Sequence, residues 1–176
     1  MTQFCLIPFS SHNDIHQFDG EITRDQNIIH VHFKMLGHLS KILWPQEDNP
    51  SIRRDGLWET TCFECFISRP NSTEYLEFNF SPSLNWQCYS FLDYRQGQST
   101  SDDLKLKQWQ IDKSTNTANV HIYIECSNTE FVTNKMQINL SAVLQDENEH
   151  FHYYSLAHGS KAPDFHQAEN RKIVLA

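Results

Sequence analysis

Along most of this chain apolar and polar residues alternate, the period of a strand with one buried face. In Ile28–Met35, Ile29, Val31, Phe33 and Met35 share one side, and His30, His32 and Lys34 share the other. Asn119–Cys126 repeats the pattern, with Val120, Ile122 and Ile124 set against His121, Tyr123 and Glu125. In Asp103–Ile111, Leu104 and Leu106 oppose Lys105, Lys107 and Trp109. Further strands are predicted at Gln3–Phe9, Cys62–Arg69, Glu74–Phe80, Trp86–Tyr94, Lys135–Val143, Phe151–Ala157 and Lys172–Leu175. Turn-rich segments separate them at Glu47–Gly56, Pro70–Thr73, Gln96–Asp102, Asp112–Asn119 and Gln145–Glu149. About ten strands at this spacing predict an all-β sandwich or barrel. Ser127–Lys135 has room for one turn of helix, and no long helix is expected. No linker composition or internal repeat divides residues 1–176, so one domain is expected. The polar stretch from Trp44 to Trp58 is longer than most loops of compact domains, and such loops often carry function.

Composition narrows the class. The chain has 176 residues, enough for a core without a metal or disulfide staple, and its 12 Phe, 6 Tyr and 4 Trp supply large apolar units for that core. The formal charge of −8, with Lys and Arg scattered, argues against a nucleic acid or an anionic membrane as partner. The start MTQFCLIPFSSHND lacks a basic end, a long apolar stretch and a cleavage site, so it does not read as a secretory signal. No run of about 18 apolar residues predicts a membrane helix. Five cysteines, an odd number without a signal, fit reduced thiols and a cytoplasmic location.

Candidate chemistry concentrates in residues 56–95. Leu76, Phe78 and Phe80 share one face of a strand and must be core; Tyr75, Glu77, Asn79 and Ser81 form a row of hydrogen-bonding groups on the other. If the preceding strand runs unbroken, Trp58, Thr60, Cys62, Glu64 and Phe66 line one side of it. Carboxylates and an amide beside aromatic rings suit a sugar: rings stack on C–H surfaces while the polar groups bond hydroxyls. The alternative for Glu77 and Asn79 is the solvated face of a half-exposed sheet, and for Glu64 a buried structural hydrogen bond. Trp58 and Trp86 are candidate stacking platforms, with core or edge packing as their alternative. In the tail, His158, Asp164 and His166 stand close together around a Gly and a Pro, in a loop able to fold over a sheet face.

Other chemistries have weaker support. His30 and His32, and His150 and His152, are H-x-H pairs, but a closed metal site needs three or four convergent ligands. Cys62 and Cys65 form a C-x-x-C whose side chains should point to opposite faces of a strand. Met35 and Met136, potential haem ligands, sit where core packing explains them. No metal and no cofactor is therefore expected. Glu64 and Glu77 as the paired carboxylates of a glycosidase, or His158, Asp164 and His166 as acid–base partners, are the enzymatic alternative. With no nucleophile elbow, phosphate loop or dinucleotide fingerprint, binding is expected over catalysis.

The run W-x-x-T-C-F-E-x-F comprises Trp58, Thr61, Cys62, Phe63, Glu64 and Phe66. It is followed by Tyr75, Glu77 to Ser83, Trp86, Tyr89, Phe91, Tyr94 and Arg95, and the tail holds Leu156, Ala157, His158 and Pro163 to His166. Together these residues look like the bacterial DOMON-like domain proteins, a group similar in fold to the type 9 carbohydrate-binding modules. The resemblance implies a jelly-roll-type antiparallel β-sandwich with a ligand-binding role; related DOMON domains bind haem or sugars. On this reading a small polar, carbohydrate-like ligand lies on one sheet face. Trp58 and Trp86 stack on it, Glu64, Glu77 and Asn79 bond it, and Tyr94, Arg95, His158, Asp164 and His166 border the cleft. A soluble sugar, a nucleotide sugar or a cell-wall precursor fits a cytoplasmic chain better than a polysaccharide. A protein-interaction module is the alternative from another class.

Overall fold

The computed structural model describes residues 1–11, 14–128, 130–131 and 134–176. The turn of helix expected within Ser127–Lys135 lies partly outside the described residues. The architecture is a jelly-roll-type antiparallel β-sandwich of two sheets. One has five strands: β1 (Thr2–Cys5), β3 (Ile15–Asp25), β4 (Ile28–Gly37), β10 (Thr117–Cys126) and β9 (Leu104–Lys113), in the order β1-β3-β4-β10-β9. The other has β2 (Ile7–Pro8), β12 (Phe151–Ser155), β11 (Met136–Gln145), β5 (Cys62–Ser68), β6 (Tyr75–Phe80), β7 (Trp86–Phe91) and β8 (Ser99–Thr100) in that order. Its eighth strand, β13 (Ile173–Leu175), pairs with the start of β11, on the edge whose far end takes β12.

The inward faces are those the alternation predicts. Ile29, Val31, Phe33 and Met35 of β4 and Val120, Ile122 and Ile124 of β10 meet Phe63, Cys65 and Ile67 of β5 and Leu76, Phe78 and Phe80 of β6 in one core. Met136 belongs to the same core, as packing required.

Three expectations are corrected. The segment predicted as one strand, Gln3–Phe9, divides at the buried Leu6: β1 pairs with β3 in the first sheet, and β2 pairs with β12 in the second. β3 itself was not predicted; its buried residues Ile15, Phe18 and Ile22 fall at intervals of three and four, and the register shifts between Ile15 and Gln17. In β9 an irregularity skips Lys107, which brings Trp109 opposite Ile122 and onto the face of Leu104 and Leu106. One extra residue inverts the alternation beyond it.

Both faces of the larger sheet are buried in its centre, where β5 and β6 have no exposed residue. The row Tyr75, Glu77 and Asn79 is therefore not a solvated face. Three segments cover it: the loop through residues 43–61, the β7–β8 hairpin tip, and a C-terminal strap of residues 156–172.

Candidate functional site

Strand alternation sets the floor of the site. On the face turned away from the core, β5 presents Glu64 and Phe66, β6 presents Tyr75, Glu77 and Asn79, β7 presents Gln87, Tyr89 and Phe91, and β11 presents Asn139, Ser141 and Val143. Phe66, Tyr75, Tyr89, Phe91 and Val143 form a second apolar cluster there, closed by Phe165 from the strap.

The covering segments are tied down by the polar groups of that face. Asp55 accepts from the Tyr89 hydroxyl at 2.7 Å and from Gln87 Nε2 at 3.0 Å, which holds the long loop to β7. These hydrogen bonds keep the Asp55 carboxyl below its usual range. Thr61 donates to the Leu43 carbonyl at 2.6 Å and accepts from the Gln145 N–H, closing the base of the loop. On the strap, Asn139 donates to the Phe165 carbonyl at 3.2 Å, and Arg171 lies 4.4 Å over the Tyr75 ring. Asp164 joins strap to hairpin tip, accepting from the Tyr94 hydroxyl at 2.6 Å and from Arg95 Nη2 at 3.0 Å. Burial raises the Asp164 carboxyl, but these hydrogen bonds outweigh it and the net shift is downward. Arg95 holds a left-handed backbone, φ 52°, at that tip, a conformation uncommon for residues other than glycine.

Between the three covers lies a cavity of about 360 Å³. Glu64, Phe66 and Glu77 line its floor together with Phe91 and Val143. Trp58 comes from the loop, Arg95 and Gln98 from the hairpin tip, and Pro163, Phe165 and His166 from the strap. Tyr153 of β12 completes the wall.

The two carboxyl groups are diagonal neighbours, since Glu64 pairs with Asn79 and Phe66 with Glu77. Each is only 5% exposed. Glu64 Oε2 accepts from Ser141 Oγ at 3.0 Å, and Glu77 Oε1 accepts from Asn79 Nδ2 at 2.8 Å. Burial, then the charge of Glu77, pushes the Glu64 carboxyl up to about 8. Burial pushes Glu77 up to about 7 against the hydrogen bond from Asn79. His166 is driven the other way, to about 4, by burial and by Arg95, so it is neutral at pH 7. The Tyr75 hydroxyl accepts from the Arg95 N–H at 3.2 Å and meets His166 Nδ1 at 2.8 Å. With the Tyr75 hydroxyl donating to Nδ1, the neutral ring carries its proton on Nε2, 3.8 Å from Glu77 Oε2.

Of the predicted site residues, the structure brings Trp58, Glu64, Glu77, Arg95 and His166 to one cavity, with Tyr94 and Asp164 bracing its rim. Trp58 reaches it from a 3-10 turn, Leu57–Glu59, and not from an unbroken strand, because β5 begins at Cys62. Three residues are placed otherwise. Trp86 pairs with Phe80, stacks on Phe78 at 5.8 Å and packs on the core, so its ring lies on the opposite side of the sheet. Asn79 is fully buried behind Glu77 and positions it. His158 bonds the Ile7 carbonyl at 2.9 Å and packs edge-on against Phe9, anchoring the start of the strap. Sequence reasoning did not assign Phe66, Phe91, Gln98, Val143, Tyr153, Pro163 and Phe165 to the site; for Phe66, Phe91 and Val143 strand period is the signal, whereas Tyr153, Pro163 and Phe165 depend on how the strap closes.

The histidine pairs do different work. His32 stacks on His121 at 4.0 Å and His30 on Tyr123 at 4.3 Å, forming a column on the outer face of the five-stranded sheet. His152 bonds Asp146 at 3.0 Å. Among the described residues no group of three or more His, Cys, Asp or Glu is placed to hold a metal ion. No helix among them is long and apolar enough to cross a membrane.

No family model and no curated protein matches the sequence. Solved structures do match the fold. A Bacteroides uniformis protein, provisionally assigned as carbohydrate-binding, aligns over 97% of this chain and 84% of its own, with TM-score 0.59 and 12% identity. A family 9 carbohydrate-binding module from Caldicellulosiruptor kristjanssonii in complex with cellotriose aligns over 91% and 74%, with TM-score 0.53 and 10% identity. Its complex with glucose aligns over 88% and 73%, with TM-score 0.50 and 10% identity. At these identities the likeness is one of fold.

Proposed function

We propose that the chain is a carbohydrate-binding domain whose ligand, a small polar saccharide or saccharide derivative, occupies the cavity between strap, hairpin tip and loop. One observation carries this reading: two buried carboxyls and a guanidinium share a cavity of about 360 Å³ with aromatic side chains. That volume lies within the usual range for small-molecule pockets. Trp58, 40% exposed and set edge-on to Tyr89 at 6.0 Å, offers its face at the mouth for stacking on sugar C–H groups. Glu64 and Glu77 accept hydroxyl protons, and Arg95 and His166 Nε2 donate. Tyr94 and Asp164 hold Arg95 in place, and Asn79 holds Glu77.

The fold shared with modules solved in complex with glucose and cellotriose supports this reading, as does the DOMON-like pattern of Trp58 to Arg95 and the tail. A cytoplasmic saccharide fits the five free cysteines, four of them buried. The test is calorimetric titration with glucose, cellobiose, cellotriose and a panel of other mono- and disaccharides. Saturable binding that weakens by about 1–3 kcal/mol in Glu77→Ala, with the fold retained, is expected. No binding across the panel overturns the reading.

A further inference from the structure

Every polar atom in the cavity wall raises the question of what completes it. Glu64 uses Oε2 on Ser141, and Glu77 uses Oε1 on Asn79. Among the described residues no donor is hydrogen-bonded to the other oxygen of either group; His166 Nε2 stands 3.8 Å from Glu77 Oε2. Both residues line the cavity, so both free oxygens can be reached by what enters it.

The surrounding charges do not fill this gap. From the hairpin tip, Arg95 is bound to Asp164 of the strap at 3.0 Å. Arg171, also on the strap, sets its guanidinium against the Tyr75 ring and donates to the His166 carbonyl. From the long loop comes another acid, Asp55, committed to Tyr89 and Gln87. His166 is neutral. The cavity therefore holds two carboxyls on its floor and a cation on its wall, Arg95, whose charge reaches both carboxyls but is shared with Asp164.

A hydroxyl supplies one proton to such a pair and brings no charge to favour its ionised form. An ammonium supplies three protons and a positive charge in the volume of one group. Carboxyls on diagonal cross-strand positions, with Cβ atoms about 7–8 Å apart or somewhat less, can both reach an ammonium seated between them. We infer that the cavity selects ligands bearing a protonated amine, an amino sugar over its neutral counterpart, with the ammonium held between Glu64 and Glu77. This inference rests on the carbohydrate-binding reading and narrows it.

Because burial raises both carboxyls toward and above neutral pH, seating an ammonium between them favours their ionised forms. Binding then releases protons, and a neutral sugar binding in the same place releases none.

The experiment is calorimetry of the full chain at pH 7 with glucosamine, glucose and N-acetylglucosamine, repeated in two buffers of different ionisation enthalpy. The expected result is glucosamine binding at least tenfold more tightly than the other two, with protons released to the buffer. The preference for glucosamine over glucose should collapse in Glu77→Gln, read as the ratio of the two affinities. If Glu77→Gln fails to fold, the proton release measured on the unaltered chain still decides the matter. Equal affinity for glucose and glucosamine, or binding of glucosamine without proton release, overturns the inference and leaves the carbohydrate reading standing. If none of the three sugars binds, nor any neutral saccharide of the wider panel, both fall.

Discussion

Asn79 stands directly opposite Glu64 in the β5–β6 ladder, yet its amide bonds not across the ladder but along its own strand, to Glu77 Oε1 at 2.8 Å. Its carbonyl oxygen is left fully buried without a hydrogen-bond partner. A buried acceptor held unsatisfied costs about 1–3 kcal/mol, so this orientation persists because the Glu77 carboxyl needs the donor more.

Removing that donor should show the dependence. Asn79→Ala is expected to lower stability by about 1–3 kcal/mol and to raise the Glu77 carboxyl further, since the amide bond is what opposes burial there. Asn79→Asp, which adds a third carboxyl to the pair, should destabilise more, and increasingly so as pH rises. Urea unfolding at pH 5 and pH 8 checks both. An Asp variant equally stable at the two pH values would contradict the account.

The buried pair also sets a pH dependence whose sign is fixed. In the unfolded chain a glutamate releases its proton near 4.5, whereas the native carboxyls hold theirs to about 8 and about 7. The native state therefore binds more protons in between, and this contribution is full below 4.5 and lost as pH rises through 7 to 8. His166 acts oppositely: its native value of about 4 lies below 6.5, so its contribution is present above 6.5 and lost as pH falls through 4. Glu77→Gln should flatten the alkaline decline and leave the acid limb in place. Thermal melts from pH 4 to pH 9 measure both limbs.

Two tryptophans that look alike in sequence should behave differently. Trp58→Ala, at the cavity mouth, is expected to weaken ligand binding with little change in melting temperature. Trp86→Ala, stacked on Phe78 beneath the Arg53 guanidinium, should cost about 2–4 kcal/mol of stability. Melting curves alongside titration of each variant separate the two. Equal loss of stability in both would mean that Trp58 is a packing residue too.

The histidine column offers an independent test on the other sheet. Burial lowers His30 and His121, and His32 lowers both further. Their contribution is present above 6.5 and declines on acidification. His121→Gln, which keeps a polar side chain on β10, should make the chain less sensitive to acid below pH 6. Its melting temperature at pH 5 relative to pH 7.5 is the readout.

How much of this was legible depended on whether one residue's surroundings lay on its own strand. The faces of β4, β5, β6 and β10 followed from alternation because each is regular and packs on a single core. β3 was hidden because its irregular register and half-exposed positions space Ile15, Phe18 and Ile22 as a helix would. The site was read in part. Glu64 and Glu77 share a face by strand period, and Arg95, Asp164 and His166 stood out by local composition. Trp86 was misassigned because the intervening turn resets the phase between β6 and β7, which puts it opposite Phe80 and not Asn79. That Glu77 is buried at all could not be seen, because its covers come from residues far away along the chain.

The strap has a consequence for the order of events in folding. The eight-stranded sheet can assemble from β5, β6, β7 and β11 before Asp164 meets Tyr94 and Arg95, or Phe165 meets Asn139. The segment that completes the cavity is held by a handful of contacts, unlike the ladders beneath it, and segments of that kind open most readily in native proteins. Release of Asp164 from the hairpin tip would loosen one wall of the cavity while the sandwich beneath stays folded. Occupancy of the cavity and slow amide exchange along residues 156–172 become two readings of a single equilibrium.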